Sequence, residues 1–384
     1  MTLAAARVLS SLTILALMTA SSAVRAQEGE TSEVSKMEPP KPEWVFVRGG
    51  FGSEGTSIYD TKTGKMKGMV NTSASSDMAL DPTGKFYYVS ETIWTKGNRG
   101  TRQDMVAVYD AIDLKLQADI NIPDRLLVGE RKQNFIISDD GKWGFVYNMS
   151  PASSVNVVDL TKRKFVKAIE LPGCAALMPN PAVGFSALCS DGSLATVTVG
   201  GAKPVITHSA PFFSATGDPI FENFQYDKAK QQTVMMSYTG LIYTATLGAT
   251  PTVAQPYSIQ AAAGYAAADT KPLAVDWYPG GRQPMALHRP SGELYVLMHM
   301  GEYWSHKAAG EEIWVLDTTS RKVVRRFPLK IPAAHIEVTQ GAEPMIFLNE
   351  EEGGNGIILD GKTGKEEHKI ERAGGGMAYT MPAS

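Results

Sequence analysis

The chain has 384 residues, with 37 Lys and Arg against 40 Asp and Glu, a formal net charge of −3. Apolar residues make up 43% and charged residues 20%, which excludes a disordered or fibrous chain. The slight acidity excludes a nucleic-acid binder that works through a strongly basic surface, and 36 Gly with 22 Pro suit a turn-rich all-β protein.

Residues 1–26 read as an export signal. Arg7 precedes the apolar run from Val8 to Met18, and Ala23-Val24-Arg25-Ala26 offers an A-x-A-like cleavage site. The alternative is an uncleaved anchor, against which the shortness of the run and its Ser/Thr punctuation count. The mature protein is thus expected to be soluble and exported. Residues 27–43 are polar, carry Glu and Pro, and are expected to form a flexible arm. Residues 44–384 are read as one domain.

That domain is repetitive. Alternating apolar residues followed by an Asp/Thr/Gly/Lys turn recur at Ile58-Tyr59-Asp60-Thr61-Lys62, Val108-Tyr109-Asp110, Val157-Val158-Asp159, Val315-Leu316-Asp317 and Ile358-Leu359-Asp360. Two weaker copies start at Thr196 and Ile242, and the widest gap carries an insertion from about Pro256 to Pro279. A second phrase alternates with the first: Asp81-Pro82-Thr83-Gly84-Lys85, Asp139-Asp140-Gly141-Lys142 and Pro290-Ser291-Gly292 each lead into a β-branched and aromatic strand. Two hairpins per unit and seven units predict an all-β, seven-bladed β-propeller, with a pair of β-sandwiches as the rival.

Cys174 and Cys189 are the only cysteines, and they flank a turn-rich stretch between two apolar runs. An even count in an exported chain favours a single disulfide stapling neighbouring strands, the alternative being two buried thiols. Two cysteines are too few for a Cys₄ metal or iron–sulfur site. The six histidines (His208, His288, His299, His306, His335 and His368) show no metal-ligand spacing; His299 and His306 are near each other but lack further ligands. Ligands gathered around an axis from separate blades would be invisible to spacing. No phosphate-binding loop, dinucleotide fingerprint, H-E-x-x-H or G-x-S-x-G is present. No catalytic, cofactor-binding or metal-binding residue is therefore assigned to this chain.

Three stretches carry a family resemblance. One runs from Arg125-Leu126-Leu127 through Ser150-Pro151-Ala152-Ser153-Ser154 and Leu171-Pro172-Gly173-Cys174 to Cys189-Ser190-Asp191-Gly192-Ser193. The others are Trp277-Tyr278-Pro279-Gly280-Gly281 with Leu287-His288-Arg289 and His306-Lys307, and Arg99 to Asp110. In these the chain resembles the heavy chain of quinoprotein amine dehydrogenases, methylamine dehydrogenase and its aromatic-amine relative. The resemblance implies a periplasmic seven-bladed propeller, an intrachain Cys174–Cys189 disulfide, and a heterotetramer of two heavy and two light chains. It places tryptophan tryptophylquinone on the light chain, so that this chain carries no cofactor and its six tryptophans read as core or interface residues. The implied reaction oxidises a primary amine to aldehyde and ammonia and passes electrons to an amicyanin- or azurin-like copper protein. The resemblance matches the family's channel-lining phenylalanine to Phe51, between Gly50 and Gly52; the alternative is an ordinary strand-end aromatic. The functional alternative is a divergent stand-alone propeller, a binding module or a small hydrolase or lyase, with an ionisable axial pocket.

Overall fold

A computed structural model describes residues 36–382 except 51, 52, 128, 130, 182, 183, 202 and 351–353. Antiparallel sheets follow one another along the chain, each but the first built from consecutive strands. The first joins Ala378–Thr380, Trp44–Arg48, Thr56–Asp60 and Lys65–Val70. The second runs Ser76–Leu80, Phe86–Trp94, Arg102–Asp110 and Leu116–Ile122; the third Phe135–Ile137, Trp143–Asn148, Ser154–Asp159 and Lys164–Glu170. The fourth runs Cys174–Asn180, Gly184–Cys189, Leu194–Thr198 and Val205–His208, and the fifth Gln225–Asp227, Gln232–Met236, Leu241–Thr246 and Thr252–Val253 with Tyr257–Ser258 alongside. The last sheet has eight strands, from Asp276–Pro279 to Glu366–Ile370.

The fold is thus an all-β propeller, and the expectation of seven blades is corrected by the sheet topology. Five sheets are of blade size, and the remaining strands make one continuous eight-stranded sheet. The physical reason lies in the 17-residue strand Lys322–Val338. Its first half pairs with Gly310–Asp317 and, past the irregularities at Gly310/Glu312 and Ala333/His335, its second half pairs with Met345–Glu350. An extended crossing stands where a loop was expected, so the repeat phrases at Val315 and Ile358 lie in one sheet. Ring closure disposes of the sandwich alternative: Ala378–Thr380 pairs with Trp44–Arg48, Phe46 opposite Tyr379.

Apolar side chains from facing sheets fill the gaps between them. Trp44, Phe46 and Ile58 of the first sheet pack on Tyr87 and Val89 of the second, with Phe46 and Tyr87 rings edge to face at 5.1 Å. Such T-shaped pairs add about 1 kcal/mol beyond their area burial. Part of the segment preceding the first strand is ordered against this core: Met37 donates its N–H to the Ile112 carbonyl at 2.7 Å and packs on the same cluster.

Strand order divides the connections between two faces. One face collects the turns between first and second strands and between third and fourth strands, which are the two recurring sequence phrases. There Asp60, Asp110, Asp227, Asp317 and Asp360 each accept the N–H groups two and three residues on, at 2.7–3.3 Å. This Asx geometry explains why Asp closes each phrase: the carboxylate satisfies backbone donors that a sharp turn leaves unpaired. The opposite face collects the longer connections, among them residues 209–224, the insertion 254–284 and residues 302–309. The insertion carries the single α-helix among the described residues, Ile259–Ala262, capped by Ser258 accepting from the Ala261 N–H.

Candidate functional site

The loop face is where aromatic and apolar side chains reach the surface. Tyr238 stacks on His306 at 4.0 Å and 14°, Phe221 lies 4.6 Å from Tyr238, and Trp304 stands on Tyr238 at 5.8 Å and 85°. Trp304 is 53% exposed and adopts φ +73°, a left-handed conformation that is costly for a bulky residue and marks a position held by its surroundings. Leu273, 83% exposed, Val275, Met300 and Ile331 open on the same face, and so do Trp94, Leu126 and Met149. The other exposed large apolar residues, Ile93 beside Trp94 and Tyr265 of the insertion apart, sit on outermost strands, and among the described residues none projects from an Asp turn.

The Trp277-Tyr278-Pro279-Gly280-Gly281 phrase acquires a packing reason here. A Cβ on Gly280 would fall 2.5 Å from His299 Nδ1, and one on Gly281, at φ +108°, 2.6 Å from the Ala334 carbonyl. Glycine lets this strand end lie flush against His299. The His299 Nε2 is 2.7 Å from the Ser305 hydroxyl, and burial pushes its pKa down to about 4, leaving the ring neutral. Burial, seconded by the Lys307 charge, also lowers His306, so a neutral imidazole faces Tyr238. The two histidines support an aromatic surface and do not form a metal pair.

Cys174 and Cys189 face each other across the first two strands of the fourth sheet and form the disulfide. His208 lies close to them, its Nδ1 3.9 Å from the Cys189 sulfur. With both sulfurs bonded to each other, the trio has no thiolate to offer a metal. The tryptophans divide as core and surface: Trp44 and Trp314 are fully buried, and Trp94 and Trp304 are exposed. Trp277 and Trp314 share the Arg326 guanidinium, 5.1 and 4.6 Å from their rings, a cation–π clamp that commits both to packing.

Around the axis the inner strands gather a charged network that sequence spacing could not reveal. Arg125 donates to the Asp77 carboxylate at 2.5 Å, to Ser90 Oγ at 3.2 Å and to the Ser75 carbonyl at 3.1 Å, with both charged side chains at most 4% exposed. Lys132 pairs with Glu337 over a separation of 205 residues, and Gln283 donates to the same carboxylate at 3.0 Å and to the Ile336 and Ala378 carbonyls. His335 beside them is pushed down to about 3, by burial first and then by the Arg282 and Lys132 charges. Toward the turn face the axis opens into a cavity of about 550 Å³ lined by first strands and turns of several sheets, with no histidine or cysteine in its wall.

Phe51 lies outside the described residues. Its neighbours Gly49, Gly50 and Ser53 belong to the loop face and border a shallow pocket of about 440 Å³ with Arg372 and Gly374.

The ring is all-β, and its loop face gathers exposed aromatic and apolar side chains of the kind that an interface with another protein buries. Its family is shown by sequence. The profile of the methylamine dehydrogenase heavy chain (MADH) family matches residues 49–382. The chain is 31% identical over 326 residues to the methylamine dehydrogenase heavy chain of Methylobacillus flagellatus, covering 83% of this chain and 79% of that one. To the heavy chain of Paracoccus versutus it is 30% identical over 357 residues, covering 91% and 82%. Among solved structures, the dihydro-heme d1 dehydrogenase NirN superposes with a TM-score of 0.58 at 15% identity, over 89% of this chain and 76% of that one, a likeness of fold alone. The chain belongs to the methylamine dehydrogenase heavy chain family, a membership that supports an amine dehydrogenase large subunit.

Proposed function

We propose that this chain is the periplasmic large subunit of a tryptophan tryptophylquinone-dependent amine dehydrogenase, exported by residues 1–26 and cleaved near Ala26. When assembled, the quinone of the light chain supplies the two-electron oxidation of a primary amine to aldehyde and ammonia, with electrons leaving to an amicyanin- or azurin-like copper protein. This chain's share is to dock the light chain, two of each in a heterotetramer, and to wall the substrate channel. The observation that carries the reading is the cluster of exposed apolar side chains on the loop face, centred on Trp304 and Leu273. Exposed apolar side chains of that size are what an obligate interface of more than roughly 2,000 Å² buries. Neutral His299 and His306 suit it, because neither brings an unpaired charge into the interface.

Phe51, which falls in sequence between Trp44–Arg48 and Thr56–Asp60, belongs to this proposal as the ring that borders the channel. Phe51→Ala is expected to shift the preference between small and aromatic amines without loss of folding. An unchanged ratio of kcat/KM values for methylamine and an aromatic amine would remove it from that role.

The test of the whole reading is co-expression with a small, cysteine-rich, tryptophan-bearing exported protein encoded beside it. Co-purification with quinone absorbance and amine oxidation is the expected result. A stable monomer, recovered without quinone absorbance from cells that are oxidising amines, would instead favour the stand-alone propeller. The axial cavity is the one feature on that side, and its wall offers binding groups without a histidine or cysteine nucleophile or base.

A further inference from the structure

The axial cavity on the turn face gathers three cations, Lys228, Lys230 and Arg289, against two carboxylates, Asp139 and Asp227. Lys230 pairs with Asp227 at 3.4 Å, and Lys228 donates to the Asp139 carbonyl at 2.8 Å while Tyr226 donates to the Asp139 carboxylate at 2.7 Å. Beneath them Lys132 is matched by Glu337. That leaves Arg289. Its Nε donates to the Tyr226 carbonyl at 2.6 Å, and its backbone N–H to Gln340 Oε1 at 3.1 Å. Gln340 is itself fixed by two bonds, to the Leu287 and Val338 carbonyls, both 2.9 Å. The guanidinium is therefore held at the cavity wall, while its terminal nitrogens have no hydrogen-bond or ion-pair acceptor among the described residues.

A partly buried guanidinium with a free fork of N–H donors calls for a planar, bidentate anion. The rest of the wall specifies what the anion is attached to. Leu80, Ile136, Ile137, Pro179, Pro290 and Pro382 line the cavity and offer it apolar surface. Asp139 and Asp227 stand in the same wall as Lys228 and Lys230, and their charge disfavours a doubly charged inorganic oxyanion relative to a single carboxylate. A volume of about 550 Å³ falls in the range of cavities that enclose small organic ligands.

We propose that the axial cavity of the turn face is a binding site for a small monocarboxylate with an apolar body, its carboxylate on the Arg289 fork and its body against the Leu80, Ile136 and Ile137 wall. The site stands on the face opposite the loop surface, so ligand and light chain do not compete for it. Its occupancy ties together strands from several sheets at the axis.

Isothermal titration of the full chain, assembled with its light chain, with hexanoate, benzoate and inorganic phosphate tests the assignment. One equivalent of carboxylate per propeller is expected to bind, with phosphate at least about tenfold weaker. Arg289→Gln should weaken hexanoate by about tenfold or more, as loss of a charge-assisted pair requires. Ala229→Trp, an exposed rim position, should block entry in a protein whose thermal midpoint is unchanged, and decides the matter if Arg289→Gln does not fold. Absence of carboxylate binding up to about 10 mM, phosphate binding as tight as hexanoate, or hexanoate binding that survives both substitutions would overturn the proposal.

Discussion

The two faces of this propeller are made from the same strands and differ in almost everything else. On the turn face the connections are short, and five of them are alike, closed by Asp60, Asp110, Asp227, Asp317 or Asp360, whose carboxylate collects two backbone N–H groups. On the loop face they are long and unlike one another, and aromatic and aliphatic side chains reach the solvent. Repetition serves the ring, which needs the same bend many times. Irregularity serves recognition, which needs a surface found once.

That contrast is open to attack, most severely through the partner. The isolated chain is expected to give no amine oxidation, and adding the light chain to restore it; turnover by the chain alone would erase the division of labour. Next comes the axis, which both faces share. Asp77→Ala strands the buried Arg125 guanidinium and is expected to cost about 3–5 kcal/mol, read as a lowered denaturant midpoint with unchanged slope. Replacing Cys174 and Cys189 together by serine opens the staple on the fourth sheet and should cost about 3 kcal/mol by the loop-entropy account.

Smaller effects separate the faces more finely. Trp304→Ala should weaken light-chain association by about tenfold or more, the mark of an interface anchor, while moving the chain's own thermal midpoint little. On the turn face Asp317→Ala should cost about 1 kcal/mol of stability and leave association alone, in the manner of a lost capping residue. The acid limb of the stability curve reports the same turns. Backbone N–H groups of Ser320 and Thr319 hold the Asp317 carboxyl below its ordinary value, and that of Lys162 does so for Asp159. A depressed carboxylate stabilises above its unfolded pKa, near 4, and that support fades as pH falls through the lower folded value. Asp159→Asn and Asp317→Asn should therefore flatten the loss of stability below about pH 4.

What the sequence disclosed follows the same line. The Asp-closed phrases announced the sheets because each is a local solution to a local problem, and all the strong copies end third strands. The cysteine pair was legible because its partners lie one hairpin apart. The Lys322–Val338 crossing was not, since Pro328 and Pro332 bring no N–H to a strand ladder and tertiary pairing on both sides keeps the segment extended. Nor could spacing find Arg125 with Asp77, Lys132 with Glu337, or the lone Arg289, which meet from distant repeats at the axis. The Trp277-Tyr278-Pro279-Gly280-Gly281 phrase was visible as a likeness, and its cause, clearance for His299 and Ala334, emerges only from packing.

The pairing of Phe46 with Tyr379 has a temporal side. Its two halves are made roughly 330 residues apart, a separation whose closure entropy is met only after the intervening sheets have gathered. Until then Trp44–Arg48 presents an open edge, competent to join a strand from any neighbouring molecule. Birth of the correct ring is thus a race between self-capture and exchange with another copy, and it is won by whatever keeps newly emerged chains apart until Ala378–Thr380 arrives.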